Sequence, residues 1–400
     1  MIPYGRQTIT EEDIAAVVAV LRSDFLTQGP LVEEFERRFS ARVGARHAVA
    51  VSNATEALHL AMRVAGIGAG DRVVTSPNTF LASANCAAYV GATPDFADID
   101  PVTYTLDPGA LEQNWRDGTR AVVAVDFAGQ AADLPGIARV ARAKGAIIIE
   151  DACHATGGSF HAEGRAWPIG GNPWADMSVF SFHPVKTLTT GEGGMLVTNR
   201  EDWAEQARRL RSHGIERDSR LFEAFAPDPW IYEMHDLGYN YRLTDLQCAL
   251  GLSQLQRLDA VLVRRREIVA DYNAAFAGLD WLVTPGLRTP ADGATTSWHL
   301  YAVQIDFAAL GRTRAEVMAQ LRAEGVGTQV HYIPVHLQPW YRNRFGYRPG
   351  KCPIAEAYYE RTLSLPLYPA MTDADVAHVI GRVRALDRTF SHVAASACSA

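Results

Sequence analysis

The chain has 400 residues, of which 48% are hydrophobic and 21% charged; that excludes a disordered polymer and implies two domains, or one large α/β domain with an appendage. A formal net charge of −7 leaves no basic surplus to neutralise phosphates, so nucleic acid is excluded as the main partner. No apolar run of about 18 residues occurs, and the acidic turn that follows Ile9 replaces the apolar stretch of a signal peptide, so neither a membrane span nor a leader is expected.

Five cysteines (Cys86, Cys153, Cys248, Cys352, Cys398) are scattered and form no CxxC pair. They read as free thiols of a cytoplasmic protein, with no metal site.

In chain order, Thr10-Glu11-Glu12-Asp13 puts a capping hydroxyl and three acids before an apolar-periodic stretch, which predicts a helix start. From about Ala45 to Val197 short β-rich runs appear at 47–52, 72–76, 121–127, 146–151, 178–182 and 195–199. Helical stretches at 55–65 and 134–144 fall between them. The alternation predicts an α/β fold with a mostly parallel sheet covered on both faces. Ligands collect at the carboxyl ends of such strands. Ser52, Asn53, Ser76, Asp126, Glu150, Asp151 and Ser181 stand there. Residues 243–276 read as one long helical connector into a second unit. Beyond it, 298–307 reads as a strand, 314–325 as a helix and 328–335 as a strand, which is a small α+β arrangement. The expected division is therefore 1–250 as a large domain and 251–390 as a small one. The tail 391–400 is small and polar enough to fray.

One letter carries unusual weight. Of 38 basic residues only Lys144, Lys186 and Lys351 are lysine, the other 35 being arginine. Lys144 and Lys351 sit in surface-like contexts, whereas Lys186 follows a buried-looking strand and precedes the Gly-rich turn "TTGEGG". A guanidinium is not deprotonated in proteins, so a lysine kept there suits a task that needs a free amine. Burial lowers an amine's pKa and favours a nucleophilic or Schiff-base role; the competing explanation is drift.

Asp151 closes the strand "AIIIED" and His154 follows three residues on. Asp151 alone reads equally as a capping residue, and His154 alone as a hydrogen-bonded structural histidine. "SNATEAL" at 52–58 places small and hydroxyl residues at a strand-to-helix junction, where free N–H groups and the helix dipole favour a phosphate; simple N-capping explains the same residues. Ser181 offers a further hydroxyl. Phe80 in "SPNTF" suits stacking on a planar ring or burial in a core. "GIGAGD" at 66–71 lies between a helix and a strand, the reverse of a dinucleotide fingerprint.

Taken together and in order, "SNATEAL", "SPNTF", "EDACHA", "SFHPVKTLTTGEGG", "RSHGI", "LGYNYRLTDLQCALGLSQL" and "VHYIPVH" resemble the sugar aminotransferases of the DegT/DnrJ/EryC1/StrS family, across nearly the whole chain. The resemblance implies a fold-type I enzyme that uses pyridoxal 5'-phosphate and works as a homodimer with shared active sites. It implies that Lys186 is the Schiff-base lysine, Asp151 the partner of the pyridine nitrogen and His154 a residue against the cofactor. Ala54, Thr55 and Ser181 match the phosphate cradle and Phe80 the ring-packing aromatic. Asn240 matches a residue that reaches the other subunit's cofactor phosphate, a task Arg242 is placed to share. Tyr4, Thr27, His183 and Tyr332 are expected on the substrate side. The implied substrates are L-glutamate and a keto nucleotide sugar.

Within the family, "VDFAGQ", "TTGEGG", "LTQGP" and "LGLSQL" look most like the pseudaminic acid branch, whose enzyme aminates C4 of a UDP-linked 4-keto-6-deoxy sugar. The stretch 215–240 looks longer than in that branch, which leaves open another nucleotide-sugar 3- or 4-aminotransferase, such as one resembling GDP-perosamine synthase. Dehydratases of the family replace the lysine that is present here. A non-catalytic nucleotide-sugar-binding module is the rival from outside enzymology, and it does not account for Lys186, Asp151 and the cradle together.

Overall fold

The computed structural model describes residues 1–387; the expected fraying of 391–400, the last residues of the expected small domain, and Cys398 lie outside them. Nine strands are formed by the first half of the chain: β1 (His47–Val51), β2 (Arg72–Thr75), β3 (Thr93–Phe96), β4 (Thr119–Val125), β5 (Ile147–Asp151), β6 (Ser159–Ala162), β7 (Arg165–Pro168), β8 (Met177–Ser181) and β9 (Gly194–Thr198). Strands β6 and β7 make a separate hairpin, and the other seven form one sheet in the order β1-β9-β8-β5-β4-β2-β3. Only β9 runs antiparallel to its neighbours, and the β8–β5, β5–β4, β4–β2 and β2–β3 pairs are parallel. The mostly parallel α/β sheet read from the sequence is present.

Its central strands are buried on both faces, which is why they read as unbroken apolar runs. Two hydrophobic clusters form, one on each side. The sequence pattern missed β3, a four-residue strand that contains Pro94. Its edge position explains how the missing N–H is tolerated.

The helix Glu11–Leu21 begins where expected, with Thr10 and Asp13 in a reciprocal capping box. Helices Ala54–Val64 and Leu134–Ala143 also lie where the pattern put them. The connector is not one helix. It divides at Arg257 into Asp245–Gln256 and Leu258–Phe276, and the Arg257 guanidinium reaches the buried Asp13 carboxylate and the Thr8 carbonyl. No glycine or proline marks the break; a tertiary ion pair does.

The C-terminal unit is a three-stranded antiparallel sheet of Leu282–Val283, Tyr301–Ile305 and Thr362–Leu365, with its own core. The strand expected at 328–335 is not formed. Gln329 exchanges two backbone hydrogen bonds with Ser364, after which the segment leaves the sheet and Val335 N–H bonds to Pro77 O at 2.9 Å. That crossing carries His331 and Tyr332 towards the large sheet. The N-terminus is threaded through the same unit, since Leu367 N–H donates to Tyr4 O at 3.1 Å. Among the described residues no helix is long and apolar enough to cross a membrane.

Candidate active site

A cavity of about 990 Å³ opens at the carboxyl ends of the parallel strands. It gathers Lys186, Asp151, His154, Ala54, Thr55, Phe80, Ser181, Tyr4, His183 and Tyr332 into one lining. Residues separated by as many as 328 positions in sequence thus converge (Tyr4 to Tyr332). Phe80 is exposed at 59%, so the core-residue reading does not hold for it. Thr27, Asn240 and Arg242 are not part of this lining. Thr27 pairs with Thr244, Arg242 with Val51 and Asn240 with Ser212, each as a single antiparallel bridge outside the cavity.

Asp151 sits at the end of β5, next to β8, so the sheet places it one strand from the segment that leads to Lys186. Two donors aim its carboxylate. Ser83 Oγ donates to Oδ2 at 2.6 Å and the Cys153 N–H donates to Oδ1 at 3.2 Å. Lys186 lies five residues beyond Ser181, where its N–H bonds back to His183 O at 2.9 Å. Burial lowers its pKa, and Cys153 and Asp151 act in the opposite sense. The amine is therefore easier to deprotonate than an exposed lysine, as the Arg-rich composition suggested.

His154 is buried between the sheet and the C-terminal unit. Its Nδ1 accepts the Ala128 N–H at 3.3 Å, and its Nε2 lies 3.3 Å from the Tyr332 hydroxyl. An Nδ1 that accepts a backbone N–H carries no proton, so the neutral ring holds its hydrogen on Nε2 and donates it to Tyr332. Burial, then the nearby Lys186 charge, push its pKa well below the usual imidazole value. His299, with its ring centroid 4.5 Å from that of His154, is held neutral in the same way. His331 is lowered to about 4 by burial and Lys186, and its Nδ1 lies 2.8 Å from Ser364 Oγ.

The opposite end of the cavity is the start of the helix Ala54–Val64. Asn53 caps it by accepting the Glu56 N–H at 3.0 Å, while the N–H groups of Ala54 and Thr55 have no partner among the described residues. Capping does not use up the helix start: one donor is satisfied, and two stay free at its positive end, where an anion is favoured. Lysine amine, carboxylate, free N–H pair and Ser181 hydroxyl form the donor set that pyridoxal phosphate requires at its aldehyde, ring nitrogen and phosphate, so these residues fit that group. Pattern reading did not select Ser83, Cys153, His299 or His331, all of which line the cavity. Cys153 and His331 stand inside the motifs "EDACHA" and "VHYIPVH" without a role being read for them, and Ser83 and His299 stand in no quoted motif.

The stretch 215–240 is pinned by Glu233. Its buried carboxylate accepts the N–H groups of Glu223, Ala224 and Phe225 at 2.7–2.8 Å, with His235 Nε2 at 2.8 Å. Trp230, Tyr232, Met234 and Leu237 project to solvent from it.

Several known proteins are similar to this chain over nearly its whole length. The model of the DegT/DnrJ/EryC1/StrS aminotransferase family matches residues 7–384. The spore coat polysaccharide biosynthesis protein SpsC of Bacillus subtilis is 44% identical over 385 residues, covering 96% of each chain. Among solved structures, a putative sugar aminotransferase of Streptococcus pneumoniae in its PMP form superposes with a TM-score of 0.88 at 31% identity, over 97% of this chain and 100% of that one. PseC of Helicobacter pylori, an aminotransferase involved in pseudoaminic acid biosynthesis, gives 0.87 at 29% identity, over 97% and 99%. The chain has the fold-type I architecture of sugar aminotransferases and belongs to the DegT/DnrJ/EryC1/StrS aminotransferase family.

Proposed function

We propose that the protein is a pyridoxal-phosphate-dependent aminotransferase that moves an amino group from L-glutamate to C4 of a 4-keto-6-deoxy nucleotide sugar, the UDP-linked hexulose of pseudaminic acid synthesis. The observation that carries the proposal is the convergence of Lys186, Asp151 and the free Ala54 and Thr55 N–H groups in one cavity.

Bound pyridoxal phosphate supplies the electron sink and the carrier for the amino group. Ala54 and Thr55 N–H groups, with the Ser181 hydroxyl, hold the phosphate at the helix N-terminus. Asp151, aimed by Ser83 and the Cys153 N–H, keeps the proton on the ring nitrogen. Lys186 Nζ takes the proton from Cα of glutamate; in the second half it delivers one to C4 of the sugar. Its depressed pKa keeps more of the amine in the basic form at neutral pH. His154, buried and neutral, lines the cavity without adding charge to it. One water supplies the keto oxygen of 2-oxoglutarate as glutamate leaves its nitrogen behind, and the sugar's ketone oxygen leaves as one water when that nitrogen is delivered, so the two halves balance. Asn240 and Arg242, outside this chain's own cavity, are assigned to the site of a second copy in a homodimer.

A second reading is favoured by one observation: identity to SpsC, at 44%, exceeds that to PseC, at 29%. It makes the substrate a different keto nucleotide sugar. A glutamate-dependent assay against 4-keto and 3-keto nucleotide sugars, with products identified by mass and NMR, separates the two. Amination of the UDP-linked 4-keto-6-deoxy-N-acetyl sugar supports the first; preference for another nucleotide or for C3 supports the second. Failure to consume glutamate with any of them sinks both.

A further inference from the structure

Behind the cavity floor two carboxyl groups lie together in the protein interior. Asp126 follows β4 and Glu150 precedes Asp151 on β5. Ala124 pairs with Glu150 across the two parallel strands, so Asp126, two residues beyond Ala124, stands on the same face as Glu150, and both are 0% exposed. Glu150 is well supplied with donors. Ser178 Oγ reaches Oε2 at 2.5 Å, the Gly170 N–H reaches Oε2 at 3.0 Å, and Asn172 Nδ2 lies 3.1–3.2 Å from both oxygens. Asp126 has one donor, the Ala132 N–H at 2.9 Å from Oδ1, and its buried Oδ2 has none.

An ionised carboxylate only accepts hydrogen bonds, so an orphan Oδ2 beside a second carboxylate is costly. A proton on Oδ2 removes the cost, because the oxygen becomes a donor and Glu150 is the acceptor beside it. Burial, then repulsion from Glu150 and from Asp151, drive the Asp126 carboxyl well above the usual range. Burial raises Glu150 as well, against the pull of its donors. Two close carboxyls in such a site do not both ionise.

Asp126 also opens the turn Phe127–Gly129. Its N–H donates to Asp151 O at 3.0 Å, and the Gly129 N–H returns to Asp126 O at 3.2 Å. Ala128, held at φ 58°, points its N–H at His154 Nδ1. The other side of the turn grips the segment that carries His299: Ser297 N–H bonds to Gly129 O at 3.2 Å and Leu300 N–H to Ala128 O at 3.3 Å.

We infer that Asp126 and Glu150 form a buried acid pair holding a single proton, and that the pair positions the Phe127–Gly129 turn and, through it, the His154 ring. Asp126 is the donor and Glu150 the acceptor. Both are positioning residues. The link to catalysis rests on the aminotransferase reading of the cavity, whereas the proton itself is measurable without it.

Infrared difference spectroscopy of the full chain near neutral pH tests the proton directly. The wild type shows a protonated-carboxyl C=O stretch that disappears in Asp126→Asn. It disappears also in Glu150→Gln, whose amide donates to Asp126 and lets it ionise. Absence of such a band, or its survival in Asp126→Asn, overturns the inference whatever the enzyme's substrate. The positioning role is read from a pair of variants. Asp126→Ala, which removes both bonds, lowers kcat by tenfold or more and alters the visible spectrum of the cofactor-loaded protein. Asp126→Asn keeps a donor for Glu150 and an acceptor for the Ala132 N–H, and so recovers most of both. Equal impairment of the two variants overturns the role. Thermal stability adds a third readout. Above about pH 4 the unfolded chain has released the proton that the folded pair keeps, so this group's contribution falls as pH rises towards the pair's own value. Asp126→Asn flattens that slope.

Discussion

Ser83 Oγ donates to Asp151 Oδ2 at 2.6 Å, tying the helix Ala82–Tyr89 to the end of β5. The same hydroxyl lies 2.7 Å from Thr79 Oγ1, so it is oriented from both sides. A hydrogen bond to a charged group is worth roughly 1.5–3 kcal/mol. Ser83→Ala is expected to weaken cofactor retention by about tenfold or more, because Asp151 loses one of its two aiming contacts. Dialysis followed by absorbance titration with pyridoxal phosphate reads the effect; retention equal to wild type would contradict it.

Lys186→Arg keeps the charge and removes the proton-transfer function, since guanidinium stays protonated. Turnover is expected to fall by at least about 10²–10⁴-fold, the typical weight of a general base, with the additional loss of covalent cofactor attachment. Measured 2-oxoglutarate production is the readout. A variant with production near wild type removes Lys186 from the reaction.

Where sequence reading succeeded, the signal was local. Apolar runs of parallel strands, the Thr10 capping box and the "SNATEAL" junction each carry their cause within a few residues. Lys186 stood out because 35 of the 38 basic residues are arginine and, of the three lysines, it alone follows a buried-looking strand; Lys351 serves as a plain charge, paired with Asp95. Where reading failed, the cause was tertiary. The edge strand β3 tolerates Pro94 only because one side is unpaired, and the helix break at Arg257 exists for Asp13, 244 positions away. The segment 328–335 has the composition of a strand, yet Pro77 O and the cavity take its backbone and its side chains. Ser83 and His299 carry no motif of their own; the fold alone brings them to Asp151 and His154.

Three imidazoles around Lys186 set an acid limit. His154 and His299 are held well below the usual imidazole range and His331 at about 4, chiefly by burial and next by the Lys186 charge. In the unfolded chain each takes up a proton near pH 6.5, and the folded ring does not. Their contribution is therefore complete above about pH 6.5 and is lost as pH falls towards each folded value, at about 1.4 kcal/mol per pH unit per histidine. Melting temperatures between about pH 7.5 and pH 5 should fall steeply in wild type. His331→Asn, whose amide still reaches Ser364, should reduce the slope; an unchanged slope assigns the acid sensitivity to other groups.

Gly194 shows why "TTGEGG" ends as it does. It pairs with Val51 on one side and Ser181 on the other, directly under the start of the helix Ala54–Val64. A Cβ there would lie 2.5 Å from Asn53 C and 2.6 Å from Ala54 N, so Gly194→Ala must push the free N–H groups out of place. Overpacking of this kind costs about 1–3 kcal/mol, and here the loss should fall on phosphate binding. Gly191 is the control. Its φ is +83° with open space around it, so Gly191→Ala costs about 1–2 kcal/mol of backbone strain away from the cradle. Cofactor titration and urea unfolding of both variants separate the effects. Gly194→Ala should lose affinity for pyridoxal phosphate, and Gly191→Ala should lose stability alone. Equal losses of affinity in the two would mean that close approach of β9 to Ala54 does not shape the cradle.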